Sequence, residues 1–224
     1  NQVLAAKWVG LDTETEGFDP YRGRVRLLSL NVAGRVYVID LFQTQTIKPL
    51  DAALNETNAV LILQNARFDQ KWLWHHNKIK FKKLFDTLRA SCLLYNGLNK
   101  KHDLYSLYDR ELDLDPIAPD LGGSNWSGPL TKEQLDYAPE DVILLPRLRD
   151  VLREKLIDAG MSRIGLIEMQ VVYPEARLEL AGFRLDTKAW IEQAEAIAQK
   201  EYELRLQLLR ELPSPSRQGL LFAA

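Results

Sequence analysis

The stretch Val9-Gly10-Leu11-Asp12-Thr13-Glu14-Thr15 puts two carboxylates at alternate positions directly after a short apolar run. Val9 and Leu11 predict a buried strand over Trp8 to Leu11. Residues i and i+2 of a strand face the same side. Asp12 and Glu14 therefore point at one spot from a rigid sheet. Two like charges that close are unfavourable unless a cation lies between them, and oxygen ligands of this kind suit a hard cation. A strand end running into a polar loop is the other reading of the same residues.

The elements on either side define the fold class. Gly17-Phe18-Asp19-Pro20 is turn chemistry. Val25 to Ala33 and Val36 to Asp40, joined by Gly34-Arg35, predict two antiparallel strands that extend the first into a meander. Pro49 to Asn55 predicts a short helix. Val60 to Leu63 is apolar throughout, the mark of a strand buried on both faces. Helices are expected over Asp69 to Asn77 and Thr87 to Tyr95, with a short strand at Leu84 to Asp86 between them. From Asn96 to Gly128 the pattern weakens, apart from a helical piece at Leu104 to Leu112. Thr131-Lys132-Glu133-Gln134 is a capping box, and the helix it opens is expected to run to about Leu152. This is an α/β chain, a mixed five-stranded sheet flanked by helices. Two further helices, Ile164 to Leu180 and Thr187 to Leu212, are expected as a C-terminal helical extension. The domains are thus residues 1–163 and 164–224. Pro213-Ser214-Pro215-Ser216 is expected to be non-helical.

Composition narrows the class. The chain has 224 residues, 46% hydrophobic and 27% charged, with a net charge of −2. That excludes a uniformly basic surface but not a local basic groove. Two basic runs stand out: Arg22, Arg24 and Arg26, and Lys78, Lys80, Lys82 and Lys83. Each either tracks phosphates or is simply solvated. No apolar run approaches the ~20 residues needed to cross a bilayer, so no membrane partner is expected. The lone Cys92 lies in an apolar run and is expected to be a small core residue. A single thiol makes no intramolecular disulfide, which fits a reducing compartment and a cytoplasmic location.

Two further acids sit in telling places. Asp69 ends Asn65-Ala66-Arg67-Phe68-Asp69, just after the buried strand. It reads as a helix N-cap or as a ligand. Tyr137 and Asp141 are i and i+4 on the capped helix and share a face, as a surface pair or as part of a site. Pro139 between them removes a helix donor at a cost of ~3 kcal/mol. An acid pair on a first strand, Asn-x-x-Phe-Asp after a buried strand and a late Tyr-x-x-x-Asp on a helix together resemble the three motifs of the DEDDy 3′–5′ exonucleases. These belong to the ribonuclease H-like superfamily. The resemblance covers roughly residues 6–155. Asp86-Thr87, Lys101-His102-Asp103-Leu104 and Ser124-Asn125-Trp126 fit it too.

The resemblance implies that Asp12, Glu14, Asp69 and Asp141 hold two divalent cations, Mg2+ or Mn2+, and that Tyr137 orients the attacking water. It places Thr13, Asn65, Phe68 and His102 at the substrate. Phe68 reads equally as a core residue, and His102 as a helix cap. His75 and His76 are expected at the surface. Tyr173-Pro174-Glu175 and Glu179 to Asp186 resemble the segment that joins exonuclease to polymerase in family-A DNA polymerases. Ser214-Pro215-Ser216-Arg217-Gln218 is similar to an element of their thumb. The proofreading exonuclease domain of that family is therefore the nearest match, with ribonuclease D or Werner-type enzymes as the alternative. The implied partner is the 3′ end of single-stranded DNA, or RNA, with a polymerase domain in the same or another chain, and a monomer is expected. A catalytically inactive nucleic-acid-binding module is the third reading, and five intact site residues weigh against it.

Overall fold

The structure is a computed structural model that describes residues 2–44, 47–114 and 121–211. In chain order its elements are α1 (Gln2–Ala5), β1 (Trp8–Thr15), β2 (Val25–Val32), β3 (Arg35–Asp40), α2 (Lys48–Glu56), β4 (Val60–Leu63), α3 (Ala66–Asn77), β5 (Leu84–Asp86) and α4 (Thr87–Leu94). Then follow α5 (Leu104–Leu112), α6 (Lys132–Ile143), α7 (Leu145–Asp158), α8 (Ser162–Ala181) and α9 (Thr187–Glu211). The strands form one five-stranded sheet in the order β3-β2-β1-β4-β5. β1 to β3 are antiparallel and β4 and β5 run parallel to β1.

Period-two alternation sorts the sheet's side chains onto its two faces. Val9 and Leu11 of β1, with Leu28, Leu30, Leu61 and Leu63, join the larger core together with Leu54, Leu73 and Val172. The other face takes Leu27 against Trp126, Tyr137 and Ala138, and Ile62 against Val142 and Leu145. Gly10, Asp12 and Glu14 belong to this second face. β1 runs on through Thr15, so both acids lie within the central strand, not after it.

Four expectations change. The helix after Thr131, whose capping box is formed as expected, is two helices that meet at Leu144. Pro146 is the cause, because it offers no N–H to the Val142 carbonyl. The buried Asn31 side chain takes over that role, and its Nδ2 donates to the carbonyls of Val142 and Ile143, each at 3.1 Å. Gly10 allows this approach, since a Cβ there would lie 3.1 Å from the Val142 oxygen. Helix α3 begins three residues early, at Ala66, because Asn65 adopts the left-handed conformation (φ 59°) that turns the chain out of β4. Cys92 is exposed and not in the core. Lastly, the compact body runs to Ala181, not to residue 163. Met169, Val172 and Ala176 bury α8 in that body, and Met169 packs with Phe85 and Leu107.

Residues 182 onward form a separate unit. Its helix α9 is opened by the Asp186 carboxylate, which accepts from the Ala189 N–H at 3.1 Å. None of its described residues is buried. The residues of the expected non-helical tail and the thumb-like element, from 213 on, lie outside the described residues. No helix of the described residues is long and apolar enough to cross a membrane.

Candidate active site

Asp12 and Glu14 emerge from the centre of the sheet toward α6, which carries Asp141. One carboxylate oxygen from each of the three lies within 4.8 Å of the others, a spacing that suits a shared cation. Such crowding has an electrostatic signature. Burial pushes the Asp12 carboxyl up to about 6. Asp69, only 2% exposed, is raised well above the usual carboxylate range, first by burial and then by the Asp12 charge. In both acids the fold shifts the balance toward the neutral form, and positive charge nearby would shift it back.

Asp69 is not the N-cap of α3. It sits one turn inside the helix, where its Oδ1 accepts from the Thr13 hydroxyl at 2.7 Å. The cap is instead provided from a distance by Asp86. Its two carboxylate oxygens accept from the N–H groups of Asn65 at 3.0 Å and Ala66 at 2.9 Å. The same carboxylate caps α4 through Leu88 N–H at 2.9 Å. One buried acid thus fixes the starts of two helices, and the first of them carries Asp69. Thr13, expected at the substrate, faces α3 and is committed to orienting Asp69.

Tyr137 is buried, and its hydroxyl is hydrogen-bonded to the Asp141 carboxylate. Burial, followed by the Asp141 charge and that bond, raises the phenol far above its usual range. It therefore stays protonated and acts only as a donor or a relay. Trp126 lies against its ring, with centroids 6.3 Å apart.

A cleft of about 510 Å³ opens over these groups, lined among others by Asp12, Asn65, Phe68, Asp69, Tyr137 and Asp141. His102 also lines it. The cap of α5 is Asp103, so His102 is not the cap. Its Nδ1 is 2.7 Å from the Ser91 hydroxyl, which accepts from Arg110 at 2.9 Å. Its backbone carbonyl accepts from Gln64 at 2.8 Å. Phe68 is partly buried and lines the cleft, with Phe18 edge-on at a centroid distance of 6.4 Å. Phe18 is 73% exposed and was hidden in the sequence inside turn chemistry. A large aromatic between Gly17 and Asp19, where a polar residue would serve, was the available signal.

Residues 1–157 match the family model described as 3′–5′ exonuclease. The chain belongs to that family. The chain is similar to DNA polymerase I of Aquifex aeolicus, at 32% identity over 216 residues, 88% of this chain and 35% of the relative. It is also similar to ribonuclease D of Desulfotalea psychrophila, at 28% identity over 159 residues, 70% of this chain and 42% of the relative. The chain thus spans between a third and a half of these curated relatives. Among solved structures, Brucella melitensis NrnC superposes with a TM-score of 0.73 at 27% identity, covering 80% of this chain and 87% of that one. NrnC has also been solved bound to pGG and with bound Mg2+.

The three Arg residues of the first basic run do not serve this exonuclease site as free charges. Arg22 pairs with Asp19, Arg24 with Glu16 and Arg26 with Asp40. His75 packs edge-on against Tyr21, and His76, which is exposed as expected, stacks on Trp72.

Proposed function

We propose that this protein is a metal-dependent 3′–5′ exonuclease that removes nucleotides from the 3′ end of single-stranded DNA. The observation that carries the proposal is the cluster of Asp12, Glu14 and Asp141, of which Asp12 and Asp141 line a cleft shared with Tyr137, Asn65 and Phe68. Carboxylate oxygens are the donor set that Mg2+ or Mn2+ prefers, and carboxylates raised first by burial, and at Asp69 also by the Asp12 charge, are what bound cations would stabilise in their charged form. Asp12, Glu14 and Asp141 would hold one cation, and Asp12 with Asp69 the second. When bound, the two cations supply Lewis acidity, for the attacking water on one side and for the charge on the leaving 3′ oxygen on the other.

The chain's own groups do the rest. Tyr137 orients the water through its hydroxyl, which is too weak an acid to serve as a base. Asn65 hydrogen-bonds the terminal nucleotide. Phe68, with Phe18 beside it, presents a ring to the terminal base. His102, its Nδ1 fixed by Ser91, turns its other ring nitrogen to the strand. The products are nucleoside 5′-monophosphates.

DNA, and a proofreading role beside a polymerase domain, is supported by the polymerase relative, whose similarity reaches beyond the part matched by the exonuclease family model. The second reading is an exoribonuclease on the same site, which the ribonuclease D relative supports. The two are separated by digesting end-labelled DNA and RNA oligonucleotides side by side with magnesium, manganese or no metal. Faster turnover of DNA is expected. Faster turnover of RNA would favour the second reading, and no turnover of either would remove both.

A further inference from the structure

The second basic run behaves unlike the first. In Lys78-Ile79-Lys80-Phe81-Lys82, burial alternates. Ile79 and Phe81 are 0% and 4% exposed, which turns the three lysines outward. Lys83 continues the run. Helix α8 adds Arg177 to the same surface, stacked over the Trp74 ring at 4.8 Å and bonded to the Tyr173 hydroxyl at 3.1 Å. Lys80 lies 4.5 Å from the Tyr173 ring centre and Lys78 5.8 Å from that of Trp74. Two aromatic rings thus hold three cations in place. Among the described residues no carboxylate pairs with Lys78, Lys80, Lys82, Lys83 or Arg177. In a chain of net charge −2, the three cations gathered by the Trp74 and Tyr173 rings, with exposed Lys82 and Lys83 next in the chain, form a local site for a polyanion.

This surface is connected to the cleft. Arg67, Lys71 and Trp74 follow the spacing i, i+4, i+7 and so share one face of α3, and Lys78, just past its end, reaches back over the Trp74 ring. That helix starts beside Asn65 and Phe68 at the cleft and ends at the lysine run. Glu179 pairs with both Arg67 and Lys71, at 2.7 and 3.1 Å, and so leaves one positive charge between the two ends.

We propose that the lysine run with Arg177 is a second docking surface for the substrate strand, gripping phosphates upstream of the 3′ end that enters the cleft. The proposal rests on the exonuclease reading of the cleft. It fixes a length rule. Twelve helical residues span about 18 Å, and a stacked strand advances about 3.4 Å per nucleotide. A dinucleotide therefore cannot touch both places, and a strand longer than about six nucleotides can.

The test is the triple variant K78Q/K80Q/K82Q, three exposed positions whose replacement leaves Ile79 and Phe81 in the core. Binding of a 20-nucleotide single strand is measured by anisotropy without metal, over 50–200 mM salt. Cleavage of a dinucleotide is measured separately with manganese. The affinity for the 20-mer is expected to fall at least about ten-fold at 100 mM salt. The slope of log affinity against log salt should flatten by about 2, at ~0.7 per phosphate contact. Dinucleotide cleavage should stay within about two-fold of the parent protein. R177Q alone should give a smaller loss in the same direction. Unchanged 20-mer binding, or an equal loss on both lengths, overturns the proposal. Because binding is read without cleavage, a protein that binds the 20-mer through these lysines yet cuts neither length would retain the surface and lose the exonuclease reading.

Discussion

Asn31 is the residue through which the sheet holds Asp141 in place, and its removal has a calculable effect. Its Nδ2 serves the carbonyls of Val142 and Ile143, and its Oδ1 accepts from Gly34 N–H at 3.1 Å. Asn31→Ala strands a buried carbonyl that Pro146 cannot serve, beside a part-buried one and a turn amide. A lost hydrogen bond costs about 1 kcal/mol, and a buried group left unsatisfied about 1–3 kcal/mol. The sum expected is about 2–4 kcal/mol, which lowers Tm by roughly 5–15 °C in a chain of this size. Asp141 immediately precedes Val142, so loosening this joint also blurs the carboxylate cluster. Single-turnover cleavage should slow about ten-fold, since misplacement of 1 Å can cost about 10². Pro146→Ala restores an N–H facing the Val142 carbonyl. Alone it should change little, because Asn31 already serves that carbonyl. In the Asn31→Ala background it should recover about 1 kcal/mol. Melting of the four proteins gives the coupling directly. If Asn31→Ala melts like the parent, or if the two substitutions simply add, Asn31 does not replace the donor that Pro146 lacks.

Three other outcomes are expected. Tyr137→Phe keeps the ring against Trp126 and should slow the chemical step by about 10², with affinity for the strand unchanged. A single-turnover rate equal to the parent's would make Tyr137 purely structural. Asp12, at about 6 in the fold against 3.8 normally, favours the protonated folded state. That contribution is complete below about pH 4 and is lost as the pH rises through 6. The metal-free protein should therefore melt lower at pH 7.5 than at pH 5, and manganese should restore the loss at pH 7.5. A metal-free Tm that rises over that interval, or no response to manganese, would contradict it. Finally, a chain ended after Ala181 should fold and cleave, whereas one ended after Arg163 should lose about 3 kcal/mol or more with Met169, Val172 and Ala176 gone from the core. Equal melting temperatures for the two truncations would refute the role of α8.

Much of this was legible in the sequence because periodicity and chemistry agreed. The alternation in Val9 to Glu14 sets both the core face and the acid face of β1, and the apolar Val60 to Leu63 can only be a doubly buried strand. What was missed depends on partners far apart in the chain. Pro146 looks tolerable near a helix start, and only Asn31, a hundred residues earlier, explains why the helix divides there. Asp69 looks like a cap until Asp86 is seen to supply both caps. The boundary at 163 failed because α8 is amphipathic whether it lies on this body or on another. The two basic runs look alike in composition. Only the structure shows that Asp19, Glu16 and Asp40 pair with the first, while among the described residues no carboxylate pairs with the second.

In the function proposed here Asp12, Glu14, Asp69 and Asp141 form a metal-dependent site acting on a 3′ end. The direct measurement is a time course on a 5′-labelled single strand with manganese, for the parent protein and Asp141→Ala, and with chelator. The expected result is a ladder shortening one nucleotide at a time from the 3′ end, abolished by chelator and by Asp141→Ala with the fold intact. Release of the labelled 5′ nucleotide as the first product, or a ladder that persists with chelator, would contradict it.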